Sequence, residues 1–332
     1  MIWLVFVLSA LAIIAAGIAI ARFGDIIAVR TGLGRLLFGT ILLAAGTSLP
    51  ELIAAFDAVR FGIPDLAAGN MLGSILVDMF FLALFDLVTR QARLLRGTAI
   101  THSLTAALAT LLLAATVLFI LVPLGLQALG IDLESLIILA IFVGGTRLIQ
   151  RRAALGPVPS EEVAAGRHLP LLWAGLGFAG GVAVLVLAAP SLVGSAEAIA
   201  ATTGLGTGFI GLALLPLVTG MPELVSSITA LRIGAFDLAV GNLFGSCVFN
   251  TFALALAGLL FQPGSIYAAI SSGFSFVGLL GLILINIALL GTLARPERRI
   301  RRIEWDAILI IVVYVAGIYL LYQRAPLLSA QR

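Results

Sequence analysis

The chain contains no lysine, a single cysteine (Cys247), two histidines (His102 and His168) and little charge of either sign, 11% of its 332 residues. One cysteine excludes an intramolecular disulfide. One Cys and two His fall short of the four Cys/His ligands of a structural zinc site, and no Cys/His set in the sequence suggests zinc or copper. A soluble domain carries about 25% charged residues, so the charge here cannot solvate the surface of one or two soluble domains. What stands in its place is apolar: 61% of residues are hydrophobic and the mean hydropathy is +1.20. That surplus has to face lipid.

A membrane-spanning helix needs about 20 mostly apolar residues. Ten stretches qualify, over residues 2–21, 35–59, 66–88, 100–122, 133–150, 170–189, 205–230, 238–260, 267–293 and 305–322. Their lengths suit helices, whose backbone polar groups are satisfied within the segment. The expected fold class is therefore an all-α integral membrane protein with ten transmembrane helices. Pro123 and Pro190 mark expected helix boundaries. The first stretch lacks a basic n-region and a clear cleavage site, so it reads as a span and not as a signal peptide.

The arginines orient this plan. Sixteen of the 19 follow odd-numbered stretches; only Arg60, Arg324 and Arg332 follow even-numbered ones. Basic residues accumulate on the cytoplasmic side, so both termini are expected outside a cell (inner) membrane and the 151–169 linker in the cytoplasm. The calculated pI of 9.6 reflects this distribution and gives no reason to expect a nucleic-acid partner. The lipid bilayer is the expected surrounding, and no obligatory protein partner is evident.

Residues 47–84 align without a gap on residues 219–256, 172 positions on, and 18 of the 38 pairs are identical. Shared composition supplies matched Leu and Ala, but not matched Pro50-Glu51/Pro222-Glu223 and Gly69-Asn70/Gly241-Asn242 pairs. This is an internal repeat. Five spans separate the copies, so they enter the membrane in opposite directions. Inverted repeats are recurrent in secondary transporters, whose substrate sites lie near the midplane where interrupted helices meet. The expected domains are residues 1–150 (repeat core 46–88), the linker 151–169, and residues 170–332 (repeat core 218–260).

Each repeat carries one glutamate, Glu51 or Glu223, near the middle of a long apolar stretch. An ionised carboxylate there costs roughly 2.5–3.5 kcal/mol on insertion scales, so both should face the interior and meet a cation or proton. No arginine lies comparably deep in a span to neutralise them. Thr47, Ser48 and Glu51 share a helical face. Pro50 and Pro222 interrupt the hydrogen-bond ladder and free the carbonyls of Gly46 and Val218. The second helix of each repeat adds Ser74 with Asp78, and Ser246 with Asn250, at i,i+4. Gly69, Gly73, Gly241 and Gly245 permit close helix approach. The set is all oxygen, which suits a hard cation such as Ca²⁺.

The motifs Gly46-Thr47-Ser48-Leu49-Pro50-Glu51 with Gly69-Asn70-Met71-Leu72-Gly73-Ser74, and Thr219-Gly220-Met221-Pro222-Glu223 with Gly241-Asn242-Leu243-Phe244-Gly245-Ser246, resemble the two α-repeats of the sodium/calcium exchanger family, within the Ca²⁺/cation antiporter superfamily. The resemblance spans nearly the whole chain and fits the short prokaryotic members. It implies a transporter and not an enzyme, with Ca²⁺ exchanged against Na⁺ by alternating access and no cofactor. It implies Glu51 and Glu223 as central calcium ligands, with Asp78 and Asn250 completing the centre. Thr47, Ser48, Ser74, Thr219 and Ser246 would serve flanking sodium sites. Two departures matter: Gly220 stands where the family commonly has serine, and acid and amide are exchanged between Asp78 and Asn250. Coupling to H⁺ or K⁺, and a cation channel, are the alternative readings of the same oxygens.

Other polar residues rank lower. Asp57 is expected to line the outer passage or to be solvated, and Asp86 to be exposed or paired with Arg90. His102 and His168 read as interfacial, Asn286 as a bond between helices, Cys247 as packing, and the arginines of 295–302 as a topology anchor with anionic-lipid contact.

Overall fold

Apolar runs of this length close their backbone hydrogen bonds internally, and the chain is accordingly helical. The computed structural model describes residues 2–32, 37–88, 94–128, 131–155, 169–203, 215–261, 264–293 and 305–329. In chain order these form α1 (Ile2–Arg30), a π-helical segment (Phe38–Leu43) running into α2 (Ala44–Thr47), α3 (Leu49–Arg60), α4 (Pro64–Val88) and α5 (Leu94–Leu121). A two-residue hairpin, β1 (Gln127–Ala128) and β2 (Ile131–Asp132), leads to α6 (Leu133–Leu155) and α7 (Leu171–Thr203). Then come α8 (Leu215–Thr219), α9 (Met221–Arg232), α10 (Phe236–Gly258), α11 (Ile266–Ala269), α12 (Phe274–Leu293) and α13 (Trp305–Ser329).

Among the described residues, eight helices are long and apolar enough to cross a membrane: α1, α4, α5, α6, α7, α10, α12 and α13. The segment 38–47 and α3, bent by 51° at their junction, make a ninth if taken as one broken span. The seventh expected span, 205–230, is represented by α8 and α9, its first part lying outside the described residues. Several boundaries differ from expectation: the expected span 267–293 is broken into α11 and α12, and α5, α6 and α13 each run beyond the expected 100–122, 133–150 and 305–322. Pro190 lies inside α7, which continues to Thr203, because neighbouring helices and local adjustments can compensate for the bond that proline removes. The first span runs on past residue 21 to Arg30.

The repeat cores occupy the middle of the molecule. In the most apolar 18-residue stretch of α10, 94% of residues are buried, and in that of α4 78%, against 17% for α7. α5, α12 and α13 pack around α4 and α10, while α1 lies along α7 and reaches α9. Outward faces keep large apolar side chains such as Trp3, Leu187 and Leu290 exposed, the pattern of a lipid-facing surface. Gly245 shows why the centre needs glycine: a Cβ there would lie 2.3 Å from the Thr40 carbonyl oxygen in the π-helical segment. Both cores turn alike. Gly62 (φ 73°) and Gly234 (φ 76°) take the left-handed conformation that ends α3 and α9 at no steric cost.

Candidate functional site

The two Pro-Glu motifs break their helices at equivalent positions. Ser48 leaves helical geometry (φ −93°, ψ 10°), its N–H donating to Ala44 O at 2.9 Å. Gly220, 172 residues later, does the same (φ −77°, ψ 2°), donating to Pro216 O at 2.9 Å. Pro50 and Pro222 then stand second in the new helices α3 and α9, in the first turn, where a missing N–H is no loss. Each glutamate follows in the same turn. The prolines thus restart a helix after a break.

All nine residues singled out from the sequence are buried: Thr47, Ser48, Glu51, Ser74, Asp78, Thr219, Glu223, Ser246 and Asn250. Several meet across the two halves. Ser48 Oγ donates to Glu223 Oε1 at 2.7 Å and lies 3.1 Å from Ser246 Oγ. Asn250 Nδ2 donates to Ser246 Oγ at 3.4 Å. Glu51 and Glu223 are each 1% exposed, and every arginine whose side chain is described, Arg22, Arg30, Arg60, Arg147, Arg151, Arg152 and Arg232, is exposed. Among the described residues Glu51 Oε2, Glu223 Oε2, Ser74 Oγ and Asn250 Oδ1 are buried without a hydrogen-bond partner. Buried polar atoms are normally paired, and four orphaned oxygens in one region are what a cation's coordination shell would fill.

The two threonines behave differently from the serines. Thr47 Oγ1 lies within 3.1–3.3 Å of Leu43 O, Ala44 O and Asn242 Oδ1. Thr219 Oγ1 lies 3.3 Å from Pro216 O and 3.4 Å from Asn70 Oδ1. Asn70 and Asn242 therefore tie each broken helix to the opposite repeat, a role that their identity between repeats could have signalled. Asn242 Nδ2 also donates to Ser226 Oγ and Ser227 Oγ, each at 3.0 Å. The equivalent positions in the first repeat are Ala54 and Ala55, and Asn70 Nδ2 is left without a partner among the described residues.

Gly220 has a physical explanation. A Cβ there would sit 3.0 Å from Pro216 O, 3.3 Å from Val77 Cγ1 and 3.5 Å from Phe81 Cε2, so a side chain at 220 would be crowded by backbone and apolar groups, whereas its counterpart Ser48 finds Glu223 and Ser246. Cys247 is more than packing, since its Sγ approaches Asp78 Oδ2 at 3.9 Å.

The lower-ranked residues fall away from this centre. Asp57 is exposed. Asp86 is buried, not exposed, while Arg90 lies outside the described residues. His102, 1% exposed, places Nε2 3.2 Å from Asp237 Oδ1. Asn286 bridges helices as expected, donating to Leu282 O at 2.8 Å and reaching Thr110 Oγ1 at 3.5 Å. His168 and residues 295–302 lie outside the described residues.

Known proteins match this chain along its length. The profile of the family described as "Sodium/calcium exchanger protein" matches residues 1–146 and 173–323. CaxA of Alkalimonas amylolytica, named as an antiporter, is 27% identical over 308 residues, 89% of this chain and 91% of its own length. The inner membrane protein YrbG of Escherichia coli K12 is 27% identical over 248 residues, covering 71% of this chain and 72% of YrbG. Among solved structures, the sodium-calcium exchanger NCX_Mj superposes with a TM-score of 0.69 at 19% identity, over 95% of this chain and 96% of that one. At that identity the likeness is one of fold.

Proposed function

The chain belongs to the sodium/calcium exchanger protein family, and from that premise we propose that it is a secondary antiporter exchanging Ca²⁺ for Na⁺ by alternating access. The observation that carries the reading is the convergence of Glu51 and Glu223, from two helices broken at equivalent positions, on a buried centre where Glu51 Oε2 and Glu223 Oε2 have no partner among the described residues. In this reading the two glutamates are the central Ca²⁺ ligands and are shared with Na⁺. Asp78 and Asn250 complete the centre. Ser48, Ser74 and Ser246 supply hydroxyls to flanking sodium positions, and Thr47 and Thr219 contribute through the broken helix ends.

The proposed frame is ten transmembrane helices as two inverted five-helix repeats, residues 1–150 and 170–332, joined by the cytoplasmic linker 151–169. Both termini face outward from a cell membrane. Opposed repeats give each broken helix an access path from one side, and exchange follows because the carboxylates are too costly to leave without a cation in a low-dielectric interior. The Val77 and Phe81 side chains beside Gly220 favour fewer sodium positions on that side than on the Ser48 side.

Ion replacement in proteoliposomes tests the reading. Ca²⁺ uptake is expected to follow an outward Na⁺ gradient and to stop when choline replaces Na⁺ inside. Uptake driven equally by a pH gradient in sodium-free buffer would convert the reading to proton-coupled antiport, and a K⁺ requirement to the potassium-dependent form. Uptake without any counter-ion would replace the antiporter by a channel.

A further inference from the structure

A second group of buried, unsatisfied oxygens lies away from the centre, at the end of α6 opposite Arg147, Arg151 and Arg152. It forms where the β1–β2 hairpin enters α6 and α11 covers the end of α10. Asp132 caps α6 with one oxygen, Oδ2, which accepts from Ser135 N at 3.4 Å and from Ser135 Oγ at 2.9 Å. Glu134 uses one oxygen, Oε1, to hold the Leu124 and Gly125 amides at 2.9 and 3.2 Å. In each case the other carboxylate oxygen, Asp132 Oδ1 or Glu134 Oε2, is buried with no partner among the described residues.

Tyr267 points into the same place. It is fully buried, its ring packs edge-on against Phe119 at 5.9 Å, and its hydroxyl, which makes no hydrogen bond of normal geometry among the described residues, lies beside the Ser135 hydroxyl within electrostatic reach of both acids. Ser265, two residues earlier, adds a fourth buried oxygen, a hydroxyl without a partner among the described residues. The elements are tightly joined, since a Cβ on Gly258 would fall 2.3 Å from Ser135 Oγ and 2.9 Å from Ile266 Cγ2.

The charge balance is lopsided. Asp132 and Glu134 are 2% and 0% exposed, and no ion pair involving either is found among the described residues. Burial, with Glu134 beside it, pushes the Asp132 carboxyl above the usual carboxylate range. Hydrogen bonds already use the oxygens that serve the fold, so capping and loop-holding do not account for the ones left over. Two carboxylates, a phenol and a hydroxyl are hard oxygen donors, and water can complete the six to eight that Ca²⁺ takes.

We propose that Asp132, Glu134, Tyr267 and Ser265 form a second, non-transported Ca²⁺ site that fastens the β1–β2 hairpin to the end of α10 and to α11. Gly258 is eight residues beyond Asn250, so this site stands about 12 Å along α10 from the proposed transport centre. It clamps the element that carries Ser246 and Asn250. The proposal does not rest on the antiport reading, and its test reads binding instead of transport.

The experiment uses full-length protein carrying Glu51→Gln, Asp78→Asn and Glu223→Gln, in which the three central acids are neutralised. Equilibrium binding of ⁴⁵Ca²⁺ is expected to show one saturable equivalent, and Ca²⁺ is expected to raise the thermal unfolding midpoint. Adding Asp132→Asn with Glu134→Gln, which keeps the cap and the amide contacts, should weaken binding by about tenfold or more. Tyr267→Phe, which keeps the ring packing, should weaken it in a protein that elutes as wild type. Asp57→Asn, an exposed acid, should change nothing. Absence of saturable binding in the Glu51→Gln/Asp78→Asn/Glu223→Gln protein, or binding undiminished by Asp132→Asn/Glu134→Gln and by Tyr267→Phe, would overturn the site.

Discussion

At the scale of single residues, the centre is asymmetric in a way that makes Ser48 and Gly220 informative. Ser48→Ala removes the donor to buried Glu223 Oε1; a hydrogen bond to a charged group is worth about 1.5–3 kcal/mol, so cation affinity should change by roughly tenfold or more. A titration of Na⁺-dependent uptake against Ca²⁺ concentration measures it, and an unchanged half-saturation would remove Ser48 from the site. Gly220→Ser asks the converse. The added Cβ would lie 3.0 Å from Pro216 O and 3.3 Å from Val77 Cγ1, closer than ordinary contact, and overpacking of that kind costs typically about 1–3 kcal/mol. The expected outcome is a lower unfolding temperature with no gain in Na⁺ affinity. A serine that restored a sodium position without loss of stability would contradict the packing described around Gly220.

At the scale of elements, backbone approach decides what α10 can carry. Gly245→Ala puts a methyl 2.3 Å from the Thr40 carbonyl oxygen, and overpacking of that kind costs typically 1–3 kcal/mol or more. Gly180→Ala, where a Cβ would meet nothing within 4 Å, is the matched control. Thermal unfolding in detergent should separate the two, and equal midpoints would mean that α10 can shift away from the π-helical segment freely. The element scale is also where the sequence was most legible. Pro50 and Pro222 announced the broken helices, and the matched Gly73/Gly245 and Ser74/Ser246 announced packed faces that meet. The unread part depended on contacts between helices, such as Asn242 with Ser226 and Ser227 within the second repeat and Ser48 with Glu223 across the two, because no spacing within one helix reveals what a residue on another will offer. Pro190 was misread as a boundary, since a membrane helix tolerates an interior proline where neighbours compensate. The acids Asp132 and Glu134 at the start of α6 were passed over altogether. In the sequence they look like an ordinary acidic helix start, and only the fold buries them.

At the scale of the whole molecule, inverted repeats require the Arg60 and Arg232 turns to face opposite sides. Phe61 and Ile233 are exposed at those turns. With Cys247→Ala as background, Phe61→Cys should react with a membrane-impermeant maleimide on intact cells, and Ile233→Cys only after permeabilisation. Labelling of both from one side would break the inversion and with it the opposed access paths. Everything else at this scale depends on whether Glu51 and Glu223 hold the exchanged ion. The most direct measurement is Na⁺-gradient-driven Ca²⁺ uptake by Glu51→Gln and Glu223→Gln proteins in proteoliposomes, with correct folding checked by size-exclusion. Each substitution keeps the shape and removes one charge from a buried centre where every described arginine is too exposed to compensate. The account predicts loss of uptake of about a hundredfold or more in each, the equivalent of roughly 2.7 kcal/mol. Uptake in either variant within about twofold of the wild-type rate, below roughly 0.5 kcal/mol, would contradict it.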